Sequence, residues 1–281
     1  MSASTKTLPE IRELDAPLEI AEIYRDFRVS SGNPQVNLIF RHLATIPGFL
    51  VWAWDVLRPL YRSEYLAQAI ARVIDAVDSD GRGFVAEGLP SVDAEAIRNL
   101  LTAYNFGNAQ NVIALKSLVV AMHREMPLRA ISAIPPHPVA PIAASVPQLP
   151  LLADLDDEQA TLVKKISSVH GSANAGVVPS MYLHLALWPS ALRNATDRVV
   201  MLMTSSDGKR KLRIIDEITS AEASVLAVRL STSLARLPKD VERKATAAIE
   251  VFIKVIIPEM MLVGCTLLGG SPAQGATARN A

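Results

Sequence analysis

The chain has 281 residues, half of them apolar, with 28 Lys plus Arg against 28 Asp plus Glu and a formal net charge of zero. That is enough apolar material for one large core or two smaller ones packed together. The charge balance gives no electrostatic footprint for nucleic acid or an anionic membrane surface. One cysteine, Cys265, excludes an internal disulfide and a thiolate cluster.

The N-terminal MSASTKTLPE lacks the apolar run of a signal peptide. Asp15 is placed to cap a helix whose Ile20, Ile23, Tyr24 and Phe27 share one face. Ser63 precedes a second apolar stripe through Leu66, Ile70, Val73, Ile74 and Val77. Asp78 to Leu89 has a partial calcium-loop spacing, but Arg82 and Leu89 fill two ligand places. A glycine-rich turn is therefore expected there. Ser91 opens another helix, and Tyr104-Asn-Phe-Gly-Asn108 interrupts the apolar pattern before Asn111 to Met126 resumes it. Asn and Gly suit a helix end there, and a break is predicted.

Ile134 to Pro150 is too rich in proline for helix and reads as a semi-rigid linker. It separates residues 1–133 from 151–281. In the second half, Glu158 to Ile166, Asp216 to Leu234 and Lys239 to Leu268 are helical, with Pro258 breaking or kinking the last. The run Asp207 to Arg213 reads as a solvated turn and helix start. Lys254, Pro258 and Glu259 argue against a membrane span in the apolar run Val251 to Leu268. Gly269 to Ala281 reads as a frayed tail. No segment has a strand's alternation. The expected fold is all-α, in a soluble, cytoplasmic protein.

His42-Leu-Ala-Thr-Ile-Pro-Gly-Phe-Leu50 is echoed 142 residues later by His184-Leu-Ala-Leu-Trp-Pro-Ser-Ala-Leu192. At that offset Val36 meets Val178 and Phe40 meets Tyr182. Two diverged helical repeats, packed as a pseudo-dimer with a pocket at their junction, are expected. Asn108 then corresponds to Ile256 in plain helix, as for a site present on one side only. A pair of His42 and His184 is expected to serve packing or capping rather than a metal.

Asn105-Phe-Gly-Asn108, Leu43-Ala-Thr-Ile-Pro-Gly-Phe49 and Leu185-Ala-Leu-Trp-Pro189 resemble segments of the group I 2-haloacid dehalogenases, in the same order across most of the chain. The resemblance implies two fused all-helical repeats with an active site between them. It implies a small 2-halocarboxylic acid as substrate, with no cofactor and no metal. In that family an asparagine and an aspartate activate a water, which displaces halide with inversion and without an ester intermediate. Asn108 falls on the asparagine. The aspartate's place, eight residues before Pro189, is Met181.

Places that carry pocket aromatics in the family fall on Gln35 and Leu38, so Gln35, Leu38, Met181 and Tyr182 are the expected substrate contacts. No Asp or Glu lies between Glu158 and Asp197. His170, His184 and Tyr182 are the candidate substitutes for the base. With no base at position 181, weak or no halide release is expected. The alternative from another class is a non-hydrolytic protein that binds a small molecule or a partner on the same fold. A homodimer is compatible with either.

Overall fold

The structure is a computed structural model that describes residues 8–77, 89–123, 139, 141, 146–171, 173, 177–230 and 237–269. Every regular element among the described residues is helical. The calcium-like loop apart from Leu89, most of the proline-rich linker, and the tail beyond Gly269 lie outside them.

The first half runs from a 3-10 turn, Glu13–Asp15, into α1 (Leu18–Ser31), α2 (Leu38–Leu43), α3 (Phe49–Tyr61), α4 (Glu64–Val77) and α5 (Ser91–Met122). The second half runs from a 3-10 turn, Leu152–Asp154, into α6 (Asp157–Ser167), α7 (Ser180–Leu185), α8 (Pro189–Thr204) and α9 (Ser206–Ala227). It closes with α10 (Lys239–Val251), a π-helical segment Phe252–Ile256 and α11 (Ile257–Leu268).

Local chemistry sets most of these boundaries. Gly32, at φ 69°, ends α1 in the left-handed conformation that favours glycine. The Ser63 hydroxyl accepts from the Leu66 amide at 3.2 Å, capping α4. Asp156 and Gln159 form a reciprocal capping box on α6. Pro189 occupies the first turn of α8, where its missing N–H costs nothing. Ser205 Oγ accepts from the Gly208 amide at 2.9 Å, so α9 starts ten residues earlier than the apolar pattern indicated. Asp15 closes the 3-10 turn and does not cap α1, whose N-cap is Pro17.

The expected break at Tyr104–Asn108 is absent, because α5 continues unbroken through it for 32 residues. The small and polar residues there serve close packing. A Cβ on Gly107 would stand 2.2 Å from Asn33 Nδ2, and one on Gly264 of α11 would stand 1.8 Å from Asn105 Oδ1. Gly107 thus admits the α1–α2 loop, and Asn105 fills the notch that Gly264 leaves.

Pro258 does disturb the last long helix. Proline has no N–H and crowds the carbonyl four residues back, here Lys254. The preceding turn widens to π-helix instead of remaining plain α. Helix α5 packs on α9 and α11, and α4 packs on α5 and α9. One continuous apolar core therefore runs through both halves. Residues 239–268 are apolar and long enough to cross a membrane, but 72% of the apolar window is buried inside the protein. This is the profile of a core helix.

Candidate functional site

A cavity of about 40 Å³ lies where the N-terminal ends of α2 and α7 face the middle of α5 and the π-helical turn. On α5, Tyr104, Asn108 and Asn111 line it at positions i, i+4 and i+7, one stripe of the helix. Asn37 and Ser180 add polar atoms from the starts of α2 and α7. Leu38, Ile39 and Met181 form one apolar wall, and Phe252, Ile256, Ile257 and Met260 form the other.

Three of the five polar residues carry a buried atom with no protein partner among the described residues: Asn37 Oδ1, Asn108 Nδ2 and Asn111 Nδ2. Such an atom costs about 1–3 kcal/mol unless something bonds to it. Three on one cavity mark a place for a polar guest. Asn111 is held in orientation by Tyr61, whose hydroxyl donates to Asn111 Oδ1 at 2.7 Å.

The cavity brings together three of the five residues singled out from the sequence: Asn108, Leu38 and Met181. The other two are not on its wall, although the Gln35 side chain hydrogen-bonds with Tyr104, which is. Gln35 lines a second, larger cavity of about 330 Å³, together with Arg12, Glu13, Arg41, His184 and the segment 146–149. Tyr182 is fully buried away from both. Its hydroxyl meets His170 Nε2 at 2.6 Å, and His170 Nδ1 meets Glu259 Oε2 at 3.1 Å. A six-residue helix explains the split. Successive side chains turn by about 100°, so Met181 and Tyr182 cannot face the same space.

Tyr104, Asn37, Asn111, Ser180 and the Phe252–Ile257 turn were not singled out. Helical spacing from Asn108 offered Tyr104 and Asn111, and Pro258 pointed to irregularity one turn before it.

No carboxylate among the described residues lines the smaller cavity. A charged side chain, Arg41 on α2, bonds directly to one of its lining residues. Arg41 is buried, ion-paired with Glu10 and bonded to the Val36 carbonyl, and its Nη2 donates to Ser180 Oγ at 3.3 Å. Having accepted that bond, the Ser180 hydroxyl can still donate, and it hydrogen-bonds with Tyr104 on the same cavity.

Tyr104 and His184 form the other polar pair at this site, 2.7 Å apart. His184 Nε2 lies 2.9 Å from the Pro147 carbonyl oxygen, which only accepts. The ring is therefore protonated at Nε2, its Nδ1 is a free acceptor, and the Tyr104 hydroxyl donates to it. Burial pulls His184 down to about 4, against the Pro147 bond and helped by the Arg41 charge, so the ring is neutral at pH 7. Burial likewise holds the Tyr104 hydroxyl well above its ordinary value and therefore protonated. His42, the sequence counterpart of His184, donates from Nδ1 to the Pro9 carbonyl at 2.7 Å and stacks on Phe252.

No family model matches the chain. It is 26% identical over 210 residues to a configuration-inverting 2-haloacid dehalogenase of Alcaligenes xylosoxydans xylosoxydans, covering 68% of each protein. It is also 26% identical over 206 residues to an (R)-2-haloacid dehalogenase of Pseudomonas putida, covering 69% of this chain and 67% of that one. Among solved structures, a D-2-haloacid dehalogenase in complex with L-LA superposes with a TM-score of 0.70 at 20% identity, over 92% of this chain and 93% of the other. A mutant D-2-haloacid dehalogenase superposes with a TM-score of 0.69 at 20% identity, over 96% of both chains. The all-helical fold is that of these dehalogenases.

Proposed function

We propose that this chain, a homologue of the configuration-inverting 2-haloacid dehalogenases, hydrolyses small 2-halocarboxylic acids in the cavity around Asn108. The observation that carries this reading is the cluster of orphaned polar atoms, Asn108 Nδ2, Asn111 Nδ2 and Asn37 Oδ1, on a cavity otherwise walled by apolar side chains. The apolar walls suit the carbon–halogen end of such an acid. The amide and hydroxyl donors suit its carboxylate and a water, with the Arg41 charge supporting the anion through Ser180.

The reaction follows from the geometry of substitution at a saturated carbon. A water held by Asn108 attacks Cα from the side opposite the halogen. The C–O bond forms as the C–X bond breaks, halide leaves, and a 2-hydroxy acid of inverted configuration remains with one proton to dispose of. Asn108 orients the water but cannot take that proton at neutral pH. Met181 cannot take it either. Removing a positioned general base typically costs about 10²–10⁴-fold. The non-hydrolytic alternative is the less favoured reading, since both curated relatives are named as dehalogenases.

The matching order of helices in the two halves supports reading residues 1–133 and 151–281 as diverged repeats. Among the described residues, each half has a 3-10 turn near its start and then five longer helical stretches, of 14, 6, 13, 14 and 32 residues and of 11, 6, 16, 22 and 30. The turn after α2 bonds Ala44 to Phe40 and Thr45 to His42, and the turn after α7 bonds Ala186 to Tyr182 and Leu187 to His184, each at 3.0 Å. The cavity then sits on the pseudo-twofold junction. The same reading makes the chain a soluble cytoplasmic enzyme.

Direct attack by water has an isotopic signature. In a single turnover of 2-chloropropionate in ¹⁸O-water, with enzyme in excess, the lactate formed should carry the label. Unlabelled lactate in the first turnover would mean that a protein carboxylate attacks first, and that the Asn108 water is not the nucleophile.

A further inference from the structure

We propose that Tyr104, backed by His184, accepts the proton of the attacking water, taking over the duty that Met181 cannot perform. This rests on the hydrolytic reading above. Tyr104 stands one helical turn before Asn108 and lines the same cavity. Its hydroxyl proton already points at His184 Nδ1 across 2.7 Å. The Gln35 and Ser180 side chains hydrogen-bond to the same oxygen, and Ser180 lines the cavity, so a water that takes the place of the Ser180 hydroxyl meets the Tyr104 oxygen as its acceptor.

The step balances without a metal or an added base. As water oxygen bonds to Cα and halide departs, one water proton passes to the Tyr104 oxygen. The original Tyr104 proton passes to His184 Nδ1, and the ring becomes imidazolium. The His184 ring also lines the larger cavity of about 330 Å³. Once the products leave, the Nδ1 proton returns to the Tyr104 oxygen as the Tyr104 proton passes to a water entering the cavity, which restores the Nε2–H ring. Halide, 2-hydroxy acid and one proton are the products, and tyrosine and histidine return to their starting forms.

The basicity fits the duty. Burial gives His184 a pKa of about 4, close to that of an ordinary aspartate, about 3.9. The ring is therefore neutral at working pH and as strong a base as the carboxylate it would replace. The charged groups facing it are Arg41 of α2, with its partner Glu10, and Arg12 and Glu13 on the wall of the same cavity. Arg41 disfavours the imidazolium and so hastens its discharge. The other Tyr–His pair, Tyr182 and His170, cannot serve. It is sealed in the core with Glu259 and touches neither cavity.

The test is halide release from 2-chloropropionate by wild type, Tyr104→Phe and His184→Asn, each also combined with Met181→Asp, with lactate binding followed by calorimetry. Both single variants should lose about 10²–10⁴-fold in kcat, with KM and lactate affinity kept within a few-fold. The double variant Tyr104→Phe/His184→Asn should be no worse than either single one, as for residues acting as a unit. Met181→Asp should restore turnover to both, because a carboxylate on the cavity bypasses the relay; a merely structural loss would not be rescued so. The wild-type kcat should also fall as pH drops through about 4, a limb that His184→Asn should lack.

Wild-type kcat in a folded Tyr104→Phe, or a loss that Met181→Asp fails to rescue in both variants, overturns the relay and leaves the dehalogenase reading standing. A wild type that binds lactate and releases no halide overturns the relay and leaves a pocket for 2-hydroxy acids. A wild type that does neither removes the functional reading along with it.

Discussion

Met181 places a thioether where the resemblance calls for a carboxylate, and the two differ most in what they demand of their surroundings. A buried carboxylate needs donors or a cation, or it stays protonated. A thioether needs only apolar contact, which Leu38, Ile39 and Met260 supply on the same cavity. On the proposed reading, the ionisable chemistry of this site lies with Tyr104 and His184.

That shift has a consequence for stability. His184 titrates near 6.5 when unfolded and at about 4 when folded. Between those values the unfolded chain binds a proton that the folded chain does not, so stability rises with pH through the window and falls on acidification from 6.5 to 4. The expected loss is on the order of 3 kcal/mol, taking about 1.4 kcal/mol per pH unit. Urea unfolding of wild type and His184→Asn at pH 7, 5.5 and 4.5 checks this. The variant should show a flatter dependence, and an equally steep decline in both would place the acid sensitivity in other groups.

At the scale of elements, the site depends on how closely α5 can approach its neighbours. Asn105 is buried against Gly264, with its Nδ2 donating to Cys265 Sγ at 3.6 Å. Gly264→Ala would put a methyl into a side chain that has no room to retreat. The expected cost is about 1–3 kcal/mol, the usual range for overpacking. Thermal melting should show the loss, and Asn105→Ala in the same chain should recover part of it. A neutral Gly264→Ala would mean that this contact is slack.

The same contact explains one misreading of the sequence. The helices with a clean 3.6-residue stripe, such as α4 with Leu66, Ile70, Val73 and Val77, are legible because burial of one face imposes that period. Asn105, Gly107 and Asn108 break the stripe in α5, and local propensity reads them as a helix end. In fact they meet α11 and the α1–α2 loop, partners distant in sequence. The site was partly legible for the same reason. Asn108 stood out by violating its surroundings, whereas Tyr104 looked like ordinary core. Gln35 lies in a loop with no period to orient it, and Tyr182 differs from Met181 only by its rotation on a short helix.

At the scale of the whole molecule, the cavity belongs to neither half alone. Asn37, Leu38, Asn108 and Asn111 come from the first half, and Ser180, Met181 and the Phe252–Ile257 turn from the second. On the proposed repeat reading, likeness between the halves accounts for the matching α2 and α7 ends, and their divergence for a one-sided site. Asn108 faces a π-helical turn instead of a second asparagine. Pro258, just after it, accounts for that turn.

The central claim is that this junction hydrolyses 2-haloacids through Asn108. Its most direct test is metal-free chloride release from 2-chloropropionate by wild type, Asn108→Ala and Met181→Asp, each shown to be folded. The wild type should release chloride, Asn108→Ala should lose about 10² or more in kcat, and Met181→Asp should at least match the wild type, since its carboxylate does the same work as the Tyr104–His184 relay. No release by wild type, or release that survives Asn108→Ala undiminished, would contradict it.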